Sequence, residues 1–164
     1  MKIVTDNRKA RFDYYIEDKF EAGIELLGWE VKSARAGNVN LQDSFVTFKN
    51  SAPVGAPPLQ RGVQCAVECF LKNAHFSPYE YGDVKEQQTR RDRKLLLSRS
   101  QINKLSNAVK TKGYTCVATK IYFNNKGLAK IEIALAKGKH NYDKKKVLKE
   151  KDIARETARQ IKNN

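Results

Sequence analysis

Five side chains in this sequence have the chemistry to hold a transition metal: Cys65, Cys69, Cys116, His75 and His140. Thiolate and imidazole are the ligands of closed zinc sites, and Cys65-x3-Cys69 lies within the usual spacing of a ligand pair. The other candidates have no local grouping. On a strand, moreover, residues i and i+4 stand too far apart to grip one ion without a bend. Free cysteine is among the most buried residue types, so these thiols are read as core, and no metal or other cofactor is expected. Three cysteines without a framework spacing fit a reducing cytoplasm.

Catalysis fares no better. A hydrolase needs a nucleophile beside a base, or paired carboxylates in a cleft. The chain has only two histidines and lacks Gly-x-Ser-x-Gly, P-loop and His-Glu-x-x-His patterns. Glu21, Glu30 and Asp43 are the acids worth weighing, and each has an ordinary structural use at hand. The chain is therefore expected not to be an enzyme.

Charge is the stronger signal. Among 164 residues, 32 Lys and Arg face 18 Asp and Glu, a net +14 that attracts polyanions from a distance. No stretch approaches the ~18 apolar residues of a membrane span, and Met1 to Arg11 has no apolar signal region. Nucleic acid is thus favoured over a membrane. Basic residues lie near aromatic or apolar ones at Arg8, Lys9 and Arg11 before Tyr14 and Tyr15, and at Arg90, Arg91, Arg93 and Lys94 before Leu95 to Leu97. Cations neutralise phosphate, and flat apolar groups stack on bases that have left a helix. For any single residue a solvated basic surface explains as much, but a net +14 over the whole length does not reduce to that.

The elements that must position these groups read mainly as strands. Phe12, Tyr14 and Ile16 alternate with polar partners in Arg11 to Glu17, and Phe20, Ala22, Ile24 and Leu26 share a face after Asp18-Lys19. Gly23 inside that run predicts a bulge or barrel bend. Cys65, Val67, Cys69 and Leu71 form another strand face. Thr115 to Phe123 and Leu128 to Leu135 form a hairpin about Asn124-Asn125-Lys126-Gly127. A helix is predicted from Trp29 to Ala36, ended by Gly37. A second opens on the Ser98 to Gln101 capping box, buries Ile102, Leu105 and Val109, and stops at Gly113. Short strands with one helix before the last pair describe an OB-like closed antiparallel β-barrel with flanking helices, residues 1–136.

Two segments stand apart. Ser51 to Gln64 holds three of the four prolines and reads as a surface loop. Residues 137–164 carry ten Lys or Arg against four Asp or Glu, with too few apolar positions for a stable core contact. A tail of this composition is expected to be disordered alone and to fold on a charged partner. Within it Lys144, Lys151, Arg155, Arg159 and Lys162 share one helical face suited to tracking phosphates.

The order of several phrases is more specific. Asn7-Arg8-Lys9-Ala10-Arg11, Phe20-Glu21-Ala22-Gly23-Ile24, Gly28-Trp29-Glu30-Val31-Lys32-Ser33, Arg35-Ala36-Gly37 and Asp43-Ser44 resemble the opening of SsrA-binding proteins, the small protein B family. Arg93-Lys94-Leu95-Leu96-Leu97, Ile121-Tyr122-Phe123, Leu135-Ala136-Lys137-Gly138-Lys139 and Tyr142-Asp143-Lys144 resemble the remainder, in order. The likeness spans nearly the whole chain. Lys85-Glu86-Gln87-Gln88 departs from the family's Asn-His-Asp-Pro, and Lys145 stands where the family has Arg.

The resemblance implies a partner, transfer-messenger RNA, whose tRNA-like domain the barrel grips near the D-loop. It also implies a tail that lies as a helix in the decoding centre and mRNA channel of a stalled ribosome. A monomer in a 1:1 complex with the RNA is expected. Carried over residue by residue, Asn7, Glu21, Leu96 and Lys130 become contacts to the tRNA-like domain, and Tyr142, Asp143, Lys144, Lys145, Lys151, Arg155 and Arg159 contacts to the ribosome. Glu21 would accept hydrogen bonds from base amines, Leu96 would offer an apolar face, and Lys130 a charge. The alternative is a general structured or single-stranded RNA-binding barrel.

Overall fold

A computed structural model of the chain describes residues 2–51, 66–78, 88–140, 142, 143 and 157. The elements run β1 (Lys2–Asp6), α1 (Arg8–Asp13), β2 (Tyr14–Ile24), α2 (Gly28–Ala36), β3 (Val39–Asn40), β4 (Phe45–Ser51), β5 (Ala66–Lys72), β6 (His75–Phe76), β7 (Arg93–Leu96), α3 (Arg99–Lys112), β8 (Thr115–Phe123) and β9 (Ala129–Gly138). The main sheet is ordered β1-β8-β4-β5-β7-β2-β9, and β9 pairs back onto β8. From β8 through β4, β5, β7, β2 and β9 the antiparallel pairing therefore returns to its start, a closed ring without the unpaired edges of an open sheet. β3 and β6 make a small second sheet.

Alternation builds the core. Ala22 and Ile24 from β2, Cys69 and Leu71 from β5, Leu95 from β7, Ile121 and Phe123 from β8, and Ile131, Ile133 and Leu135 from β9 are buried together. Helix α3 adds Ile102 and Leu105, with Val109 partly buried beside them. Its Ser98 hydroxyl accepts from the Gln101 backbone N–H, the Gln101 side chain accepts from the Ser98 N–H, and Gly113 closes it at φ 65°. Gly37 ends α2 at φ 86°, as its position after Ala36 predicts. The predicted hairpin is present as β8 and β9, with Gly127 in the left-handed region at φ 73°.

Three local expectations are corrected. Arg11 to Asp13 is not strand but the end of α1, because Asn7 caps that helix by accepting from the Ala10 N–H, and Ala10 packs on Val117, Ala134 and Ala136 outside the barrel. The break expected at Asp18-Lys19 is a register shift within one continuous β2, between Ile16 and Lys19, so the bulge lies there and not at Gly23. The polar N-terminus, assigned no element above, contributes β1, paired along β8. The tail boundary also moves, since Lys137 and Gly138 pair with Tyr15 and Tyr14 and belong to the barrel. The Pro-rich run lies almost entirely outside the described residues, as do Cys65 and 85–87.

One buried ion cluster ties these parts together. Glu30 of α2 and Arg93 of β7 are both fully buried. Arg93 Nε donates to Glu30 Oε1 at 2.9 Å, and Nη2 lies 2.8 Å from the same oxygen. Its other donors reach the carbonyls of Ala74, Arg91 and Thr89 at 2.7–2.9 Å, and the guanidinium sits 4.0 Å from the Phe76 ring centroid. Arg91 adds bonds of 2.9 and 2.6 Å to the two Glu30 oxygens, and the Leu27 N–H donates to Oε2 at 2.7 Å. Arg91 and Arg93, grouped above with the RNA-facing cations, are thus structural. Removing the carboxylate strands a buried guanidinium, so Glu30→Ala is expected to cost about 3–5 kcal/mol, measured by urea unfolding. A loss under 1 kcal/mol would show that water replaces the pair.

Candidate nucleic-acid interface

The outer face of the barrel is set by the same alternation that fills its core. Because Ile24 and Leu95 point in, their neighbours Gly23 and Leu96 point out, and these two are Cα partners across β2 and β7. Gly23 is in turn paired with Lys130 of β9, and Lys130 with Tyr122 of β8. One row across four strands therefore reads Leu96, Gly23, Lys130, Tyr122. Glu21, two residues before Gly23, lies on the same face one row along.

Leu96 is 58% exposed, which dismisses the core explanation that composition alone would favour. Gly23 makes its placement possible: a Cβ there would stand 3.2 Å from Leu96 Cβ and 3.3 Å from Cδ1. The missing side chain lets Leu96 lie down against the β2 backbone, presenting a flat apolar surface. Beside it a hollow of about 320 Å³ is bordered by Val67, Lys94, Leu97, Arg99 and Ile102.

On the other side of Gly23 the face is polar and ordered. Glu21 accepts a hydrogen bond from the Tyr122 hydroxyl and pairs with Lys130 Nζ at 3.2 Å. These two contacts, the Tyr122 bond first, hold the Glu21 carboxyl below its ordinary value of 4.5. Burial, and then the Glu21 carboxylate, push the Tyr122 phenol up to about 12. At neutral pH the pair is thus a carboxylate and a neutral donor. An open hollow of about 380 Å³ adjoins them, lined also by Asn124, Asn125 and Lys126. Glu132, opposite Glu21, is held separately by Lys120 at 3.0 Å and by the Thr119 hydroxyl at 2.8 Å.

The other predicted contacts fall elsewhere. Asn7 is buried: Nδ2 donates to the carbonyls of Leu41 and Ala118 at 2.8 and 2.9 Å, and Oδ1 caps α1. Both amide hydrogens are spent on the fold. Lys9 and Asp43 pair at 2.8 Å, Arg11 with Asp6 at 2.9 Å, and Lys94 with Glu68. Tyr142 is 79% exposed and Asp143 half-buried, with its carboxylate accepting from the His140 N–H at 3.3 Å. Lys144, Lys145, Lys151, Arg155 and Arg159 lie outside the described residues. Among the described residues no group of three or more His, Cys, Asp or Glu could hold a metal. Burial pushes the Cys69 and Cys116 thiols up to about 12, leaving them inert.

Sequence reasoning did not single out Tyr122 and misread Gly23. Both were within reach: Ile121 and Phe123 point into the core, so Tyr122 lies on the opposite face beside its hairpin partner Lys130, where it is covered and meets Glu21 through its hydroxyl.

The chain is similar to known proteins over most of its length. The family model described as "SmpB protein" matches residues 4–54 and 62–163. An SsrA-binding protein of Shouchella clausii is 48% identical over 161 residues, 98% of this chain and 92% of that protein. One from a Wolbachia of Drosophila simulans is 43% identical over 164 residues, 100% of this chain and 99% of that one. A chain from a solved structure described as "tmRNA-SmpB: a journey to the center of the bacterial ribosome" matches with a TM-score of 0.64 at 38% identity, covering 90% of this chain and 95% of that one.

Replacing Tyr122 by Phe removes the first cause of the low Glu21 pKa, so that pKa is expected to rise toward 4.5. A depressed carboxyl keeps its charge-dependent contacts above its own pKa and loses them as pH falls through it, so the loss should begin at higher pH in the variant. Carboxyl-carbon NMR titration reads this directly. An unmoved Glu21 would mean that Lys130 alone sets its charge.

Proposed function

The chain belongs to the SmpB protein family, and on that premise we propose that it is a non-catalytic adaptor that binds the tRNA-like domain of transfer-messenger RNA and delivers it to stalled ribosomes in trans-translation. The observation that carries this is the outward row of Leu96, Gly23 and Lys130 with Glu21 and Tyr122 beside it. A surface built only to attract phosphate has no use for an exposed leucine or a fixed carboxylate. Together they suit an RNA loop whose bases have left the stack. Leu96 covers a base face, the Glu21 carboxylate accepts from an exocyclic amine, and Lys130 and its basic neighbours meet the backbone. An ionised carboxylate cannot donate, so it reads a donor N–H of its base and not an acceptor edge.

Asn7 serves this site at one remove, by fixing α1 against the barrel, and does not itself touch RNA. The basic segment after Lys139, with Tyr142, Lys144, Lys145, Lys151, Arg155 and Arg159, engages ribosomal RNA in the decoding centre and the empty mRNA channel. One chain acts per RNA, in the cytoplasm. None of the described helices is long and apolar enough to cross a membrane.

Competition binding tests the assignment. Labelled tRNA-like domain is challenged with elongator tRNA and an unrelated hairpin at near-physiological salt, with Glu21→Ala and Leu96→Ala alongside. The domain should win, and Leu96→Ala should weaken it by about 5-fold or more, the low end of the 1–3 kcal/mol that stacking contributes. Equal competition by all three RNAs with unaffected variants would leave only a general RNA-binding barrel. Affinity should also fall with salt at a log–log slope of about −0.7 to −0.9 per phosphate neutralised. A flat response excludes a phosphate-anchored interface.

A further inference from the structure

The end of the barrel remote from Leu96 carries a second ordered arrangement, at the root of the basic segment. β9 ends at Gly138, paired with Tyr14, and the next residue extends the contact: the Lys139 N–H donates to the Asp13 carbonyl at 2.9 Å. Its side chain folds back, with Nζ donating to the Arg11 carbonyl at 3.2 Å and lying 5.0 Å from the Tyr15 ring centroid. Arg11 and Asp13 are at the C-terminal end of α1, where carbonyls lack intrahelical donors and a cation is favoured. The ring supplies the other face of the ammonium's surroundings. His140 and Asp143 then close a local turn through the 3.3 Å bond from backbone N–H to carboxylate. The Tyr15 phenol is held above its ordinary value by partial burial and by Asp143, which places that carboxylate beside the same ring.

We propose that α1 and Tyr15 form an abutment on which Lys139 and Asp143 seat the root of the C-terminal segment, setting the direction in which it leaves the barrel. This rests on the adaptor reading for its use, though not for its geometry. α1 is itself immobilised, since Asn7 caps it and clasps the Leu41 and Ala118 carbonyls. Direction matters because the segment is long. The 25 residues from His140 to Asn164 would reach about 37 Å as a helix, so an error of about 20° at the root moves the far end by about 13 Å. A channel that accepts one helix tolerates no such error. Asp143 thereby acquires a role beside the expected RNA contact: its carboxylate bonds the His140 N–H at the point from which the basic residues follow.

The abutment and the RNA face lie at opposite ends of the β2–β9 ribbon. Eight residues of β2 lie between Gly23, paired with Lys130, and Tyr14, paired with Gly138, a span of about 30 Å. Changes at one end can therefore be read without disturbing the other.

The test uses the full chain as wild type, Lys139→Met, Tyr15→Leu and Lys139→Arg. Spin labels are introduced through non-natural residues at Asn107 on α3 and at His140. A narrow distance distribution is expected for wild type and Lys139→Arg, and a broadened one for Lys139→Met and Tyr15→Leu. Affinity for the tRNA-like domain should stay within twofold throughout, while peptide tagging on stalled ribosomes falls tenfold or more in the two broadened variants. Identical distributions in all four proteins would overturn the abutment, as would a parallel loss of RNA affinity and tagging. The distance measurement needs no RNA, so failure of the chain to prefer the tRNA-like domain would overturn the adaptor reading and leave the abutment standing.

Discussion

A buried carboxylate with two guanidiniums is the constraint on which the rest of this fold depends. Glu30 cannot remain ionised and dry unless its oxygens are fully occupied, and Arg93 brings five donors that must each find an acceptor. The arrangement of α2, β7, the Ala74 and Thr89 carbonyls and the Phe76 ring meets both demands. The cluster is therefore less a source of stability than of uniqueness: apolar residues of equal volume would pack as well but would tolerate slippage of β7 against its neighbours. Slippage by one residue would exchange Leu95 for Leu96 and turn the barrel inside out at that strand.

From that register the interface follows with little freedom. Once Leu95 points inward, Leu96 points outward, and its partner across β2 must be small for it to lie flat. The strand beyond places Lys130 and then Tyr122 in the same row. Glu21 is drawn to both, so its charge is held by a neutral phenol as much as by a cation. A carboxylate on a protein of net +14 would otherwise be a salt-bridge partner for any passing lysine. Bonded to Tyr122, it keeps a fixed direction on the outer face.

Much of this was legible in the residues. The capping box at Ser98, the glycine stops at Gly37 and Gly113, and the β8–β9 hairpin all declare themselves locally, and the structure has them in place. The failures share one cause: the deciding interaction was distant. Arg91 and Arg93 look like RNA-facing cations until a glutamate some sixty residues away proves to be buried against them. Phe12 appears to alternate with Tyr14 and Ile16, but Asn7 starts a helix whose alanine packs on a strand more than a hundred residues on. Gly23 announces an irregularity, and only its neighbour's identity says that the irregularity is a platform. Local chemistry was readable. Its partners across the barrel were not.

Asn7 shows how one buried amide can organise several elements of the fold at once. Its amide joins three things: the start of α1, the Leu41 carbonyl leading into β4, and the Ala118 carbonyl of β8. β8 is the strand that closes the ring and carries Tyr122, so the clasp bears on the RNA face through β8 and on the root of the basic segment through α1. A direct contact would leave the side chain exposed and partly unpaired, whereas this one is buried with both amide hydrogens used. Truncating it to Ala would take one donor each from the Ala118 carbonyl and the Leu41 carbonyl, which Ser44 still bonds, and would remove the cap of α1. The effect of such a variant would then be on the shape of the barrel, which separates Asn7 from the exposed Leu96, whose removal takes away outward apolar surface alone.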